Sequence, residues 1–555
     1  MKKNAIVLKL AAFLILCSPN LFAQWTTNSS LNTPIAVASG DQTDEVMVSD
    51  GAGGAIIAWT DNRSGTSDVY AQRINSSGVI QWALNGIVIS DTTGNQSFPK
   101  IVSDGSGGAI ITWEDNRSGN YDIYAQRINA SGIAQWTVNG VVVAAAVGNQ
   151  FFPDLLSDGS GGAIVTWYDY RNGSANADIF AQSINATGLM QWAVNGVALC
   201  LAVDNQNNPK IVTDNSGGAI IVWEDKRTAA TIDIYAQRIN SAGVVQWTVD
   251  GIPVSIGPGN HLFPKIVADG LGGAFITWND NRAGSIDVYA QLINSSGTNQ
   301  WVLNGIAITN LVSSAEFNPD ISLDGLGGII IAWEDQRSGT SDVYAQRINS
   351  LGNEQWVSNG IAVCTSANGQ TTPFLISDGS GGVIINWVDN RVGSTLDIYG
   401  QKVNQSGIVQ WATNGIVISN GANNQQTTTM ISDGSGGAII SWMDARSISD
   451  FDIYIQNVCA NGLIGLTTSC SSAGIEEVND DNQVVFPNPS NGTFVIELNE
   501  ISTITISNVL GQFVLSEKLN AGKTYFDLQN QANGIYSITV SHNNVVERQK
   551  ICITK

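Results

Sequence analysis

Residues 98–143 read FPKIVSDGSGGAIITWEDNRSGNYDIYAQRINASGIAQWTVNGVVV. FPKIVSD predicts a short strand. DGSGG follows as a turn whose glycines are free to take positive φ. AIITWED predicts a second strand and NRSGNYD a loop. IYAQRIN predicts a third strand, NASG a turn, and IAQWTVNGVVV a fourth strand with Asn139-Gly140 as a bend inside it. No 3.6-residue apolar period runs through the unit, so helices are not expected.

The unit repeats. Asp-Gly-x-Gly-Gly, four residues, then Trp occurs eight times with minor variation. Its tryptophans are Trp59, Trp113, Trp167, Trp223, Trp278, Trp333, Trp387 and Trp442, spaced by 54 to 56 residues. A Gln-Trp pair also occurs eight times, from Trp25 to Trp411, and the two sets account for all 16 tryptophans. Four antiparallel strands per unit with a bulky aromatic in each is a propeller blade pattern. The phase of the repeat points to a ring. Gln24-Trp25 has no third strand before it, and IYIQNV (453–458) has no Gln-Trp segment after it. Together the two ends make one blade. A linear β-solenoid, the alternative, predicts two differing caps instead. The expected fold is all-β: an eight-bladed propeller of four-stranded blades, closed by an N-terminal strand and followed by a small β-sandwich. The expected limits are a signal peptide (1–23), the propeller (24–470), an acidic linker (471–483) and a C-terminal sandwich (484–555).

The start reads as a secretory signal: Lys2 and Lys3, then a mostly apolar stretch from Ala5 to Cys17, then Pro19 and Ala23. Leu16 before Cys17 disfavours lipid attachment there. No later apolar run is long enough to span a bilayer as a helix. Cys459 and Cys470 are close enough in sequence to form a disulfide. Cys200 and Cys364 occupy the same repeat slot and read as small buried residues.

Every unit keeps four charged positions, seen in the quoted one as Asp104, Asp115, Arg117 and Asp122. The expectation is structural: Asp104 caps its turn, and Asp115, Arg117 and Asp122 close the next loop through charge-assisted bonds. A calcium ion in each blade is the rival, without an Asp-x-Asp-x-Asp run to support it. No cofactor or metal is expected. The frame also explains the net charge of −22. Residues 24–470 hold 38 acidic and 17 basic side chains, and most of the excess belongs to the frame. Nucleic acid and anionic lipid, which need basic patches, are not expected partners.

After Cys470, SSAGIEEVNDDNQ reads as a linker. The last segment carries Phe486-Pro487-Asn488-Pro489, Gly492 with Phe494, Gly511-Gln512, Gly534-Ile535-Tyr536 and a basic finish from Lys550 to Lys555. This tail resembles the type A C-terminal sorting domain of the type IX secretion system. Its motif positions here are Pro487, Asn488, Pro489, Gly492, Gly534 and Tyr536. The resemblance implies passage across the outer membrane, the type IX machinery as partner, and release from or attachment to the cell surface. An ordinary adhesive β-sandwich is the alternative.

Catalytic residues are not apparent. Of two histidines, His542 lies in the tail, and His261 reads as a loop variant of a polar position held by Gln96 and Gln150 elsewhere. The arginines of the Trp-x-Asp-x-Arg slots belong to the frame, and the order departs from the Ser-x-Asp-x-Gly-x-x-Trp box of sialidase-like propellers. Glu114, Glu224 and Glu334 share one slot and read as exposed strand-end residues. If FPKIVSD is innermost, one end of the ring collects the loops after Trp-x-Asp and the variable segments before Phe-Pro. Blade three departs furthest there, so Tyr168, Tyr170 and Asn176 are the candidate binding residues. The expected function is a secreted or surface-attached, monomeric binding protein for glycan or protein, not an enzyme. A polysaccharide-acting hydrolase and a structural surface component are the alternatives.

Overall fold

The computed structural model describes residues 25–228, 230–311, 314–447, 449–465, 485–486, 490–498, 501–508, 513–542 and 545–553. The expected signal peptide with Cys17, the expected linker, Cys470, Gly511-Gln512 and Pro487, Asn488 and Pro489 lie outside them. The chain divides into two compact units, Met1–Ser472 and Ala473–Lys555.

The first unit is an eight-bladed propeller. Blade one is β2 (Gln42–Ser49), β3 (Ala55–Asp61), β4 (Asp68–Ile74) and β5 (Ile87–Ser90), paired antiparallel in that order. Blade two repeats it with β6 (Gln96–Ser103), β7 (Ala109–Asp115), β8 (Asp122–Ile128) and β9 (Val141–Ala144). Eight such four-stranded sheets occur. The first strand of each blade contacts those of its two neighbours. That of blade eight (Gln425–Ser432) touches β2, so the ring closes around a central channel. The second strands are buried on both faces and so read as continuous apolar runs, AIITW in β7.

Closure comes from the N-terminus. Strand β1 (Thr33–Ala36) is the outer strand of blade eight and pairs with Asp452–Val458, Thr33 opposite Ile455. Trp25 extends the clasp. Its Nε1 donates to Ser76 O of blade one at 2.9 Å, the bond that Trp136 of blade two makes to Ala186 O of blade three. One aspect of the expected blade is different. The Gln-Trp segment is not part of the fourth strand. It meets the third strand through an isolated bridge, Ile128 to Ala134, and through the Gln126 side chain, which accepts from Trp136 N and donates to Thr137 O, and β9 begins after Asn139-Gly140. Those two residues form a tight turn with φ of 62° and 88°. A Cβ on Gly140 would sit 2.5 Å from the Trp113 ring, so only glycine lets the turn lie on that indole.

The repeated charges are mostly absorbed by the blade. Asp115 is fully buried and accepts from Trp113 Nε1 at 2.8 Å and from Arg117 Nε at 2.8 Å. Arg117 lies 3.9 Å over the Tyr124 ring and donates to Asn139 O at 2.8 Å. The Asn139 side chain in turn accepts from Asp91 N, in the segment that follows the outer strand of blade one. Asp104 caps its turn by accepting from Ser106 N and Gly108 N, both at 2.8 Å, and also pairs with Arg127. Asp122 does not join Arg117. It accepts from Ser118 Oγ at 2.7 Å, and burial raises its pKa. Among the described residues no group of three or more His, Cys, Asp or Glu is placed to hold a metal ion.

Cys459 is disulfide-bonded. Cys200 and Cys364 are buried free thiols, but not merely apolar: each Sγ accepts from a frame arginine, Arg227 at 3.2 Å and Arg391 at 3.4 Å, as Ser90 Oγ does from Arg117. Burial pushes the thiols up to about 12 and about 11 respectively, so both stay protonated.

The second unit is a β-sandwich. One sheet contains Val485–Phe486, Thr493–Leu498 and Gly522–Asp527; the other contains Phe513–Leu519, Ser502–Asn508, Gly534–His542 and Val545–Ile553. Phe494, Ile496, Phe526, Ile504, Ile538 and Ile551 form the core between them. Tyr536 is buried, and its hydroxyl donates to Ala532 O at 2.8 Å. Gly492 has φ 107°, and a Cβ there would meet the Gln529 backbone at 2.9 Å. Among the described residues no helix is long and apolar enough to cross a membrane.

Asp115→Ala removes the acceptor of a buried indole and strands a guanidinium, so urea unfolding should show a loss of about 3–5 kcal/mol. Asp91→Ala, at an exposed site, should stay within about 0.5 kcal/mol.

Candidate ligand-binding end of the ring

Each inner strand breaks register near its start. Between Ser97 and Lys100 of β6 the pairing with β7 shifts, and the same break recurs in all eight blades. The third residue of each inner strand takes the left-handed conformation: Asp44, Phe98, Phe152, Asn208, Phe263, Asn318, Thr372 and Thr427, with φ between 48° and 56°. Proline follows in six of the eight and cannot donate to the ladder, which suits a bulge. For Asn and Asp this conformation is cheap. For Phe and Thr it costs roughly 1–2 kcal/mol each, and such strain concentrates where a side chain must be presented.

In blades two, three, five and seven the bulge is held from the preceding blade, by the residue between Trp and Asp of its second strand. Thr60 Oγ1 accepts from Phe98 N at 3.2 Å, Glu114 Oε1 from Phe152 N at 2.7 Å, Glu224 Oε1 from Phe263 N at 2.8 Å, and Glu334 Oε1 from Thr372 N at 2.7 Å. The three glutamates are therefore not exposed strand ends. They are buried brackets, Glu114 only 2% exposed, because the blade-to-blade gap closes over the end of the second strand. Burial raises the Glu114 carboxyl to about 7, opposed by the Phe152 N–H.

At blades two and three the bulges present aromatic rings. Phe98 and Phe152 are 43% and 45% exposed and stack on each other at 5.9 Å. Phe152 stacks on Tyr168 at 5.6 Å, and Tyr168 meets Tyr170 edge-on at 5.7 Å. Phe151 touches Tyr168 and Tyr170, and Tyr121 touches Phe151 at 5.1 Å. The structure thus brings Tyr168 and Tyr170 into one patch of six rings. Tyr168 stands where sister blades place a bracket glutamate, and burial keeps its phenol protonated. Asn176 is outside the patch: its amide turns back to Asp178 of its own loop at 3.4 Å. Sequence reasoning missed Phe98, Phe151, Phe152 and Tyr121. The signal available was Phe-Phe at 151–152 beside Tyr168, but only the bulge tells which Phe faces outward.

Further round the same end lies a cavity of about 620 Å³, lined by Phe263, Lys265, Asn318, Asp320, Phe374 and Thr427 among others. A smaller one of about 260 Å³ shares Phe263 and Asn318. His261 is near but closed off. It is not in a loop; it opens the inner strand of blade five (His261–Ala268), fully buried in the slot held by Gln96 in blade two. Nδ1 lies 3.3 Å from Asp233 and Nε2 3.4 Å from Asp280. Burial lowers its pKa, with Asp280 opposing.

Comparison with known proteins bears on both units. Residues 484–554 match the family model of the secretion system C-terminal sorting domain. The tail is such a domain, of the type IX system, and the chain is a secreted or outer-membrane-surface protein with that machinery as its export partner. No curated protein sequence matches the chain. Among solved structures it is similar to a PL25 polysaccharide lyase, an ulvan lyase bound to -[GlcA(1-4)Rha3S]-, at 10% identity over 80% of this chain and 99% of that one, TM-score 0.44. It is similar to the α-L-arabinofuranosidase Arb93A of Fusarium graminearum at 12% identity, covering 56% and 92%, TM-score 0.32. PorZ, a surface component of the type IX system of Porphyromonas gingivalis, is similar at 12% identity over 94% and 82%, TM-score 0.30.

Because the folded Glu114 carboxyl titrates at about 7, against 4.5 for an ordinary glutamate, its burial favours the fold below pH 4.5 and loses that contribution as pH rises through 7. Glu114→Gln keeps the acceptor for Phe152 N and does not titrate. Relative to wild type the variant should gain about 2 kcal/mol between pH 5 and pH 8 in urea unfolding.

Proposed function

We propose that this exported protein is a binding propeller that takes a saccharide on the aromatic patch of blades two and three. One observation carries the reading: Phe98 and Phe152 are held, at a cost in backbone energy, in a conformation that leaves their rings half-exposed, stacked on each other and, through Phe152, on Tyr168. Flat apolar faces edged by the Tyr168 and Tyr170 hydroxyls suit a pyranose ring, which offers C–H groups on its face and hydroxyls at its edge. A protein ligand would use the same anchors, since Tyr is favoured in interfaces.

Binding rather than hydrolysis is supported by the state of the nearby acids. Glu114 has the raised pKa of a proton donor, but it is buried and one of its oxygens is taken by the Phe152 N–H. A sorting domain on the same chain fits a ligand met outside the cell.

The test is a glycan array followed by calorimetry, on the chain from Gln24 onward. Phe152→Asn removes the ring and places at the bulge the residue that Asn208 and Asn318 supply in blades four and six. It should leave thermal stability unchanged or raised while weakening saccharide binding at least tenfold, as should Tyr168→Ala. Binding that survives both variants would move the site elsewhere. Reducing-sugar release abolished by Glu114→Gln would make the protein an enzyme.

A further inference from the structure

The propeller is acidic, yet a few of its cations are left over from the frame. Residues 25–465 contain twelve arginines and five lysines. All twelve arginines pair with aspartate: eight in the Trp-x-Asp-x-Arg clusters and four, Arg73, Arg127, Arg238 and Arg347, with the turn aspartates. Lys402 replaces an arginine of the second kind and lies 3.4 Å from Asp378. Four lysines remain. Lys226 is exposed on a loop; the other three, Lys100, Lys210 and Lys265, are the fifth residues of the inner strands of blades two, four and five.

That position borders the channel. The fifth residues of blades five, six and seven, Lys265, Asp320 and Phe374, line the cavity of about 620 Å³. In blades three and six the fifth residue is aspartate, and it reaches around the wall to the next blade: Asp154 accepts from Ile211 N at 3.2 Å and Asp320 from Leu375 N at 3.0 Å. Those carboxylates are thus partly satisfied by backbone N–H groups. Lys265 lies 3.7 Å from Asp320. The ammonium groups of Lys100 and Lys210 make no ion pair or hydrogen bond with the described residues. Burial presses the Lys210 ammonium downward; Asp154 and Glu224 oppose this, and Lys100 and Lys265 add to it, so both neighbouring lysines act on Lys210. A desolvated ammonium with no ion pair, facing two further lysines, is unfavourable alone and is relieved by an anion. The aromatic rim is close by: Phe98 and Phe263 stand two residues before Lys100 and Lys265, and Phe263 lines the same cavity as Lys265.

We propose that Lys100, Lys210 and Lys265 form an anion-binding belt in the channel wall that holds the carboxylate or sulfate of an acidic saccharide whose rings rest on the aromatic rim. This rests on the saccharide reading above and adds the charge class of the ligand. Lysine suits either anion, being a compact charge with rotatable donors rather than a planar fork. The surrounding acidity favours a single anionic group entering end-on over a polyanion laid across the face.

The experiment is calorimetric titration of the chain from Gln24 onward with four probes: an oligogalacturonate, a sulfated oligogalactan, an uncharged oligogalactan of the same length, and sodium sulfate. Wild type, Lys210→Met, Lys100→Gln and the outer control Lys226→Gln are compared, with circular dichroism to confirm folding. The expected result is preference for one or both acidic oligosaccharides, weakened at least tenfold by Lys210→Met and Lys100→Gln and not by Lys226→Gln. The carboxylated and sulfated arms tell which anion is taken. If Lys210→Met does not fold, Lys100→Gln decides. Equal binding of the uncharged probe, or acidic binding indifferent to both channel variants, overturns the belt while the saccharide reading survives. Lysine-dependent binding of sulfate with no saccharide bound keeps the belt and removes the saccharide reading. No binding of any probe overturns both.

Discussion

Each blade is organised around an indole N–H bonded to a buried carboxylate. Trp113 Nε1 and the Arg117 guanidinium share Asp115; the guanidinium lies on Tyr124 and reaches the carbonyl of Asn139. Three strands and the neighbouring blade are thereby tied at one end: the second strand through Trp113 and Asp115, the third through Tyr124, the outer through the Asn139-Gly140 turn, and the neighbouring blade through the Asn139 side chain. A buried ion pair alone adds little net stability, because desolvation offsets the Coulomb attraction. Here both carboxylate oxygens of Asp115 accept, from the indole and from the guanidinium, so the cluster's larger contribution is to register. An Asn-Gly turn can sit on the Trp113 ring in one way only.

The same cluster explains why the last blade needs the first residues of the chain. Arg446 finds its carbonyls at Ser30 and Leu31 and the Asn32 side chain, and Asp444 and Trp442 complete the set. Without that segment the Arg446 guanidinium would lose its carbonyl partners and a strand edge would be left open at the ring junction. Closure is therefore chemical as well as topological, and it uses the same Trp-Asp-Arg cluster as every other blade.

Against this uniform frame the departures collect at one end. The bulge recurs in every inner strand as a break in pairing, followed by proline in six blades and bracketed from the blade before in four. What varies is the residue placed there: Phe in blades two, three and five, Asn in four and six, Thr in seven and eight. Tyr168 in place of a bracket glutamate, and lysine in three fifth positions, follow the same logic. The scaffold is constant, and function is written in a few slots whose geometry the scaffold has already set.

Much of this was legible in the sequence. Trp spacing, glycine turns and the unmatched ends pointed to a ring of eight four-stranded blades, because those signals are local and repeat eight times. Tyr168 and Tyr170 were legible as the largest break in the repeat. The rest was not, because it depends on where one blade meets the next. Glu114, Glu224 and Glu334 look like strand-end charges until the neighbouring bulge places an N–H on each. His261 looks like a loop residue until the inner strand is seen to start there. Phe98 and Phe152 follow a strand pattern that would bury one face and expose the other, and only the left-handed bulge turns both rings outward to stack across a blade boundary. Sequence alone determined the repeat, the closure and the sorting tail. The tertiary structure decided which side chains share a surface, because residues some 55 positions apart become neighbours only once the ring is closed.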